Sequence, residues 1–238
     1  MFQESKAYPF VFALVICAIC SLLMAAVSHG LRERQEMNVD LEVKVNIFNA
    51  LHLTPPLPKD VQPEEAIRIF HEKIEQVVIN DKGDIVPGKT PEQIKEGETL
   101  YPLFIYREGG QVQGYCFPIH GKGLWSVVYG YLAIEPDGKT IRGITFYKHG
   151  ETPGLGGEVE QKWFQKNFEG KKIWDEATQE TVAVAVAKGR MVDRIPKEKW
   201  PHYVDGISGA TLTGNGLNIF LQRWIKVYAP FFTKIHRS

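Results

Sequence analysis

The amino-acid sequence predicts an α+β protein in which a single transmembrane helix precedes one soluble domain. Three observations lead to this prediction. A long apolar run lies near the N-terminus, two pairs of strand-like segments with turn residues between them lie mid-chain, and helix-like segments flank those strands. Strands joined by short turns pair antiparallel. We therefore expect a mainly antiparallel sheet flanked by helices.

The apolar run covers residues 9–27, with Ser21 as its only polar side chain. Its nineteen residues are close to the roughly 20 that a helix needs to cross the hydrocarbon core of a bilayer. Residues 26–28 also resemble a small-residue cleavage site, so a removed secretory signal is the alternative. Because the run is longer than a signal core and little positive charge precedes it, we predict a retained anchor. The predicted domains are residues 1–30 for the anchor and 31–238 for the soluble domain.

Charge and cysteine content argue against several functions. Lys and Arg together number 28, as do Asp and Glu, so the formal net charge is zero. Such a chain lacks the positive field expected of a nucleic-acid-binding protein, and we predict no nucleic-acid partner. Positive residues flank both ends of the apolar run about equally, so charge does not fix its orientation. Cys17 and Cys20 lie inside that run, where packing explains them better than redox or metal chemistry.

Two helices are predicted between the anchor and the strands. The first covers Val39–Leu53 and ends at the proline-rich segment Thr54–Pro58. The second covers Glu64–Ile79, where apolar residues recur at helical spacing and Pro63 stands near the start.

Two hairpins follow. Each consists of two segments with strand-like composition around a turn that contains glycine. The predicted strand pairs are Leu103–Arg107 with Val112–Pro118, around Glu108–Gly110, and Ser126–Glu135 with Thr140–Tyr147, around Pro136–Lys139.

The last third of the chain is predicted to add two helices and a strand. Glu158–Phe168 has a helical pattern, and Thr181–Ala187 has the composition of a strand. Leu212–Val227 is an amphipathic stretch that we expect to close the domain as a helix.

The segment Asp205–Gly216, DGISGATLTGNG, is rich in glycine and hydroxyl groups and leads into that last helix. A helix N-terminus offers unpaired N–H groups and a partial positive charge, and Gly209 allows a ligand to approach the backbone. These features are typical of a phosphate-binding turn. An ordinary helix cap built from the same residue types is the alternative.

Asp205–Thr211 resembles the D-x-x-[ST]-G-A-T flavinylation motif of the FMN-binding domain family. In that family the last threonine carries FMN through a phosphoester, which a dedicated flavin transferase installs from FAD. The resemblance implies a soluble FMN-binding domain with one covalent FMN on Thr211. It also places four motif residues near the cofactor, namely Asp205, Ser208, Gly209 and Ala210.

Two further segments carry the same resemblance. Glu151–Gly157, ETPGLGG, is similar to the family's second flavin-contacting loop, and Gly121–Trp125, GKGLW, is similar to a segment before one of its strands. Lys188 matches a basic position. The resemblance assigns cofactor contacts to Trp125, Glu151, Thr152, Gly154, Leu155, Gly156 and Lys188. Core packing for Trp125 and a solvated side chain for Lys188 are the alternatives.

Taken as a whole, the pattern resembles the C subunits of Na+-translocating NADH:quinone oxidoreductases. The related G subunits of Rnf ferredoxin:NAD+ complexes share the flavin motifs and are the nearer alternative. Gly214 is a departure, because serine is more usual there. The resemblance implies an electron-transfer subunit in the bacterial inner membrane, with its domain on the periplasmic side. Its partners would be the membrane, the other membrane subunits of the complex and the transferase.

No complete active site is expected on this chain alone. The sequence lacks an H-E-x-x-H zinc motif, a G-x-G-x-x-G turn and a G-x-S-x-G elbow. We accordingly predict no catalytic residue and no metal ligand. An anchored module that binds a phosphate-containing ligand without any redox role is the alternative from another functional class.

Overall fold

The computed structural model describes residues 8–53 and 63–236, which divide into two compact units between Val43 and Lys44. Helix α1 covers Tyr8–Leu51. Its segment Tyr8–Arg32 is long and apolar enough to cross a membrane, and its apolar side chains are exposed. The predicted helix at Val39–Leu53 is confirmed as far as Leu51, where it is the end of α1 rather than a separate element. The predicted break at residues 54–58 lies outside the described residues.

The second unit contains a five-stranded sheet in which each strand pairs antiparallel with the next along the chain. Its strands are β1 (Ile74–Asn80), β2 (Leu100–Glu108), β3 (Gln111–Lys122), β4 (Val127–Ile134) and β5 (Ile141–Lys148). Both predicted hairpins are confirmed, and with them the antiparallel character of the sheet. Gly109 and Gly110 form the first turn in left-handed conformations, which glycine adopts at no steric cost.

The predicted helix at Glu64–Ile79 is wrong from Ile74 onward. Helix α2 covers Pro63–Lys73 and ends where β1 begins. The residues beyond Lys73 include Ile74, Val77, Val78 and Ile79, which are all buried. Branched side chains of this kind fit a pleated surface, and hydrogen bonding to β2 decides in favour of a strand.

Helix α4 (Thr211–His236) packs across β3 and closes the domain. It starts at Thr211, one residue before the predicted start at Leu212, and continues beyond Val227, through Pro230. Tyr228 is fully buried, stacks on Phe117 with 4.0 Å between ring centroids, and donates a 2.6 Å hydrogen bond to the carbonyl of Pro102. These contacts fix the helix, and therefore its N-terminus, against the sheet.

The remaining segments are less regular than predicted. Glu158–Phe168 contains the end of a 3₁₀ helix, Gly156–Glu160, followed by the short α3, Lys162–Lys166. The strand predicted at Thr181–Ala187 is divided between two partners, because its two ends pair with different segments. Its first residue belongs to β7 (Glu180–Thr181), which pairs antiparallel with β6 (Trp174–Asp175). Two later residues form β8 (Ala185–Val186), which pairs parallel with β9 (Tyr203–Val204).

Candidate functional site

The glycine- and hydroxyl-rich turn leads directly into α4, as predicted. Gly209 has a φ of +74°, which a residue with a side chain rarely adopts, and it turns the chain into the helix. The N–H of Ala210 bonds to the carbonyl of Ile207 at 3.1 Å, and the N–H of Gly214 bonds to that of Ala210 at 2.9 Å. The first helical residue is Thr211. The turn therefore presents the N–H groups of a long helix, and their partial positive charge, beside Thr211.

The hydroxyl groups at this helix start differ sharply in accessibility. Thr211 and Ser208 are exposed, whereas Thr213 is only 2% exposed. The Thr213 hydroxyl donates a 2.7 Å hydrogen bond to Oε2 of Glu151. Thr211 is therefore available to a large reagent, and the neighbouring threonine is not.

Glu151 joins three parts of the chain. It is 5% exposed, and besides Thr213 it accepts backbone hydrogen bonds from Leu124 at 3.1 Å, Trp125 at 2.9 Å and Ser126 at 3.1 Å. The loop after β3, the loop after β5 and the first turn of α4 therefore meet at one carboxylate.

These donors also determine the acidity of Glu151. Burial by itself would raise the pKa of this carboxyl, but the hydrogen bonds from the Thr213 hydroxyl and the three backbone N–H groups outweigh burial, so the pKa lies below its ordinary value. Glu151 is therefore an ionised, buried and hydrogen-bonded carboxylate at neutral pH.

This lowered pKa predicts a specific acid sensitivity. A carboxyl whose pKa is lower in the folded than in the unfolded protein stabilises the fold above the unfolded-state pKa of about 4.3. That contribution is lost as the pH falls through the folded-state value. We expect the difference in unfolding free energy between the wild type and Glu151→Gln to be constant near neutral pH and to shrink below about pH 4.3. Denaturant titrations of the full chain in detergent across this range measure it, and an unchanged difference would contradict the role of the ionised form.

Glycines allow these segments to approach one another closely. A Cβ on Gly156 would lie 2.4 Å from the Thr213 hydroxyl and 2.8 Å from Oε2 of Glu151, which leaves no room for a side chain. A Cβ on Gly209 would lie 2.7 Å from Cδ2 of Leu155, so the ETPGLGG loop directly contacts the turn before α4. Two of the three segments that carry the flavin resemblance therefore share one surface.

A narrow cleft beside Thr211 completes this surface. Lys188 and Thr211 both line the cleft. The loop that carries Lys188 is held by Asp205, whose side chain accepts a 2.7 Å hydrogen bond from the N–H of Met191. The other lining residues are Val186, Ala187, Gly189, Gly206, Ile207, Ala210, Gly214 and Asn215. Its volume is about 20 Å³, close to what a single water molecule needs.

The remaining predicted site residues lie on the exposed rim. Trp125 is 71% exposed and Leu155 is 43% exposed, so core packing does not explain Trp125. Thr152 and Gly154 are exposed, and the carbonyl of Thr152 accepts hydrogen bonds from the N–H groups of Leu155 and Gly157 at 3.1 and 2.9 Å. The rim therefore combines a rigid loop with exposed apolar side chains.

Three polar residues of this region were not predicted from the sequence. Besides Thr213, the hydroxyl of Ser126 accepts a 2.6 Å bond from the N–H of Gly150, and the amide of Asn218 bonds both backbone groups of Val186 at 2.7 and 3.0 Å. Thr213 shares the buried helical face of Leu217. A hydroxyl on such a face needs a hydrogen-bond partner, and this signal was available in the sequence.

A larger cleft, of about 700 Å³, lies between the end of α1 and the region of β5 and α3. It is lined by Asn46, Phe48, Asn49, His52, Leu53, Ile144, Thr145, Phe146, Tyr147, Glu160, Gln161, Lys162, Gln165, Lys166 and Glu169. None of these residues belongs to the predicted site. The candidate site is therefore the smaller cleft, whose lining includes Lys188, Ala210 and Thr211 of the predicted site residues.

The chain is similar to known proteins in both sequence and fold. Residues 123–226 match the family model described as the FMN-binding domain, and this span contains the Trp125 loop, the ETPGLGG loop and the start of α4. The C subunit of the Na(+)-translocating NADH-quinone reductase of Yersinia pestis, a protein of the NqrC family, is 33% identical over 260 residues, covering 99% of this chain and 95% of that protein. The chain belongs to the NqrC family. The corresponding protein of Vibrio alginolyticus is 32% identical and covers 91% of this chain and 90% of its own length.

Solved structures of NqrC proteins share the fold. The protein from Parabacteroides distasonis is 33% identical, with a TM-score of 0.72, and the match covers 85% of this chain and 97% of that one. NqrC from Shewanella oneidensis is 29% identical, with a TM-score of 0.66 over 83% of this chain and 97% of its own. Of the two flavoprotein families that the motifs resembled, the NqrC family is therefore the correct one.

Proposed function

We propose that this chain carries one FMN covalently on Thr211 and transfers electrons as a subunit of a Na+-translocating NADH:quinone reductase. The observation that carries the proposal is the exposed Thr211 hydroxyl at the N-terminus of α4, beside a buried Thr213 that is hydrogen-bonded to Glu151. A phosphoester at this position would receive the N–H groups and the partial positive charge of the helix start.

The residues around Thr211 fit such a group. Lys188 lies in the same cleft and would supply a cation to the phosphate. The cleft of about 20 Å³ is too small to enclose a ring system, since ligand pockets typically measure about 300–1,000 Å³. The isoalloxazine ring would instead lie outside, against exposed apolar side chains such as Trp125 and Leu155. In this arrangement Asp205 would shape the site through the N–H of Met191, and Glu151 through three backbone N–H groups and the Thr213 hydroxyl.

Attachment requires only the hydroxyl of Thr211 from this chain. Its oxygen forms a bond to the FMN phosphorus of FAD, the pyrophosphate bond breaks, AMP leaves, and the hydroxyl proton passes to a base of the transferase. An unassisted hydroxyl is a weak nucleophile, and for this reason the transferase would supply the base.

Bound FMN supplies one- and two-electron redox chemistry. This chain's part is to tether the group, fix the loops around it and leave it accessible to neighbouring centres. NADH oxidation and quinone reduction belong to the other members of the complex, which are its partners together with the maturation transferase.

Intact mass spectrometry tests the proposal directly. The full chain produced together with a flavin transferase should gain the mass of one FMN less one water, and peptide mapping should place it on Thr211. Protein without the mass increase and without visible flavin absorption would favour a phosphate-binding scaffold with no redox role.

We also propose that α1 is a retained membrane anchor and that the domain lies on the periplasmic side of the bacterial inner membrane. The length and composition of Tyr8–Arg32 support the anchor, and the family resemblance supports the side. Protease added to intact spheroplasts should remove the domain and leave a membrane-embedded N-terminal fragment. A domain protected until the spheroplasts are lysed would contradict the proposed side, and the absence of the N-terminal fragment would contradict the retained anchor.

A further inference from the structure

We infer that Glu151 and Thr213 form a positioning pair that aims the Thr211 hydroxyl outward, and that Glu151 does not contact the flavin. This inference rests on the proposed attachment at Thr211 and assigns roles within that site. It changes the role of Glu151 from a cofactor contact to a residue that acts through its neighbours.

The hydrogen-bonding capacity of Glu151 is fully used. An ionised carboxylate offers about four lone-pair sites, two on each oxygen. Oε2 accepts from the N–H of Leu124 and the hydroxyl of Thr213, whereas Oε1 accepts from the N–H groups of Trp125 and Ser126. All four sites therefore have donors within the protein, and none remains for a ligand.

The hydrogen bond to Thr213 fixes the rotation of the first turn of α4. Successive helical residues are about 100° apart around the axis, so Thr211 and Thr213 point in nearly opposite directions. Holding Thr213 inward against Glu151 therefore turns Thr211 toward solvent. Gly156 allows this contact, because any Cβ there would displace the Thr213 hydroxyl.

The same carboxylate fixes the loop that carries the exposed Trp125. Three consecutive N–H groups, from Leu124 to Ser126, converge on Glu151. A glutamine at this position would present an NH₂ group to two of the four donors, whichever way its amide turned. A carboxylate can consequently accept the hydrogen bonds of the three loop N–H groups and of the Thr213 hydroxyl at the same time.

The test compares two substitutions of Thr213 in the full-length chain. Thr213→Val keeps the shape of the side chain and removes its hydroxyl, whereas Thr213→Ser keeps the hydroxyl. The rate of flavin attachment is measured with purified transferase and FAD, alongside thermal unfolding and the visible circular dichroism of the attached flavin. Thr233→Val is the matched control, because it removes another hydroxyl bond, to the carbonyl of Ala229, far along the same helix.

We expect Thr213→Val to slow attachment about tenfold or more, the size of effect associated with a hydrogen bond to a charged group. The visible circular dichroism of its flavin should also change, while Thr213→Ser restores both the rate and the spectrum. Thr233→Val should attach flavin at the wild-type rate. A merely structural role would lower the midpoint of thermal unfolding in Thr213→Val and leave the attachment rate and the flavin spectrum of the folded protein unchanged.

Two results would overturn the inference. One is a wild-type rate and spectrum in Thr213→Val, and the other is equal slowing in the valine and serine variants. If the valine variant does not fold, Glu151→Asp tests the inference instead. It keeps the negative charge but moves the carboxylate one methylene away from Thr213 and the Trp125 loop. A wild-type rate in that variant overturns the inference, and a slower one supports it. Failure of the wild type itself to acquire flavin on Thr211 would instead refute the proposed function.

Discussion

Replacing Thr211 with alanine should abolish covalent flavin and leave the domain folded. The exposed hydroxyl of Thr211 stands at the acceptor position of the motif, and the buried hydroxyl of Thr213 is held by Glu151. Loss of a hydroxyl at a helix start costs about 0.5–2 kcal/mol if it also caps the helix. A typical domain is stable by about 5–15 kcal/mol, so the variant remains folded.

Denaturing gel electrophoresis with in-gel flavin fluorescence, together with circular dichroism, measures this prediction. Thr211→Ser is the matched control, because it keeps the oxygen that forms the phosphoester and should retain part of the signal. Wild-type fluorescence in Thr211→Ala would show that the acceptor is a different residue, with the exposed Ser208 the first to examine. Simultaneous loss of fluorescence and fold would mean that Thr211 has a structural role.

The second large effect is expected at Gly216, which lies where α4 touches the loop after β3. A Cβ there would lie 2.4 Å from the carbonyl oxygen of Lys122 and 3.0 Å from Cα of Gly123. Both are backbone atoms, so the helix and the loop must separate. We expect Gly216→Ala to destabilise the protein by about 1–3 kcal/mol, the typical cost of overpacking.

Gly214 is the matched control, two residues earlier in the same helix. A Cβ there would meet Val186 at 3.5 Å, an ordinary van der Waals contact. Alanine also favours a helix over glycine by about 0.5–1 kcal/mol. Gly214→Ala should therefore stabilise the protein while Gly216→Ala destabilises it. Thermal unfolding of both variants, with the full chain in detergent, should give shifts of opposite sign. A Gly216→Ala variant as stable as Gly214→Ala would contradict the close contact.

Local patterns in the sequence predicted much of the fold. The apolar N-terminal run, the two hairpins and the amphipathic start of α4 all appear where they were expected. The boundary between α2 and β1 was missed, because Ile74–Ile79 satisfies a helical pattern and only pairing with β2 makes it a strand. The division of Thr181–Ala187 was missed for a similar reason, since two separate partners determine its pairing.

For the site, the motif resemblance identified the segments but not how they are held together. Asp205, Glu151 and Trp125 were grouped as flavin contacts, yet their environments differ. Asp205 and Glu151 bond backbone N–H groups, and Trp125 is exposed on the rim. Such distinctions depend on contacts between residues far apart in the chain, 62 positions for Glu151 and Thr213. A local pattern contains no information about them.

The convergence of donors on Glu151 has a consequence for biosynthesis. The carboxylate is translated well before α4, which is the last helix of the described chain, and the Trp125 loop is translated before both. Contacts of long sequence separation form late, because loop-closure entropy opposes them until the rest of the structure is in place. With the domain on the proposed periplasmic side, the acceptor threonine would acquire its native setting only after the segments from the Trp125 loop to the start of α4 have crossed the membrane. The proposed flavin attachment would then follow the export and folding of the domain.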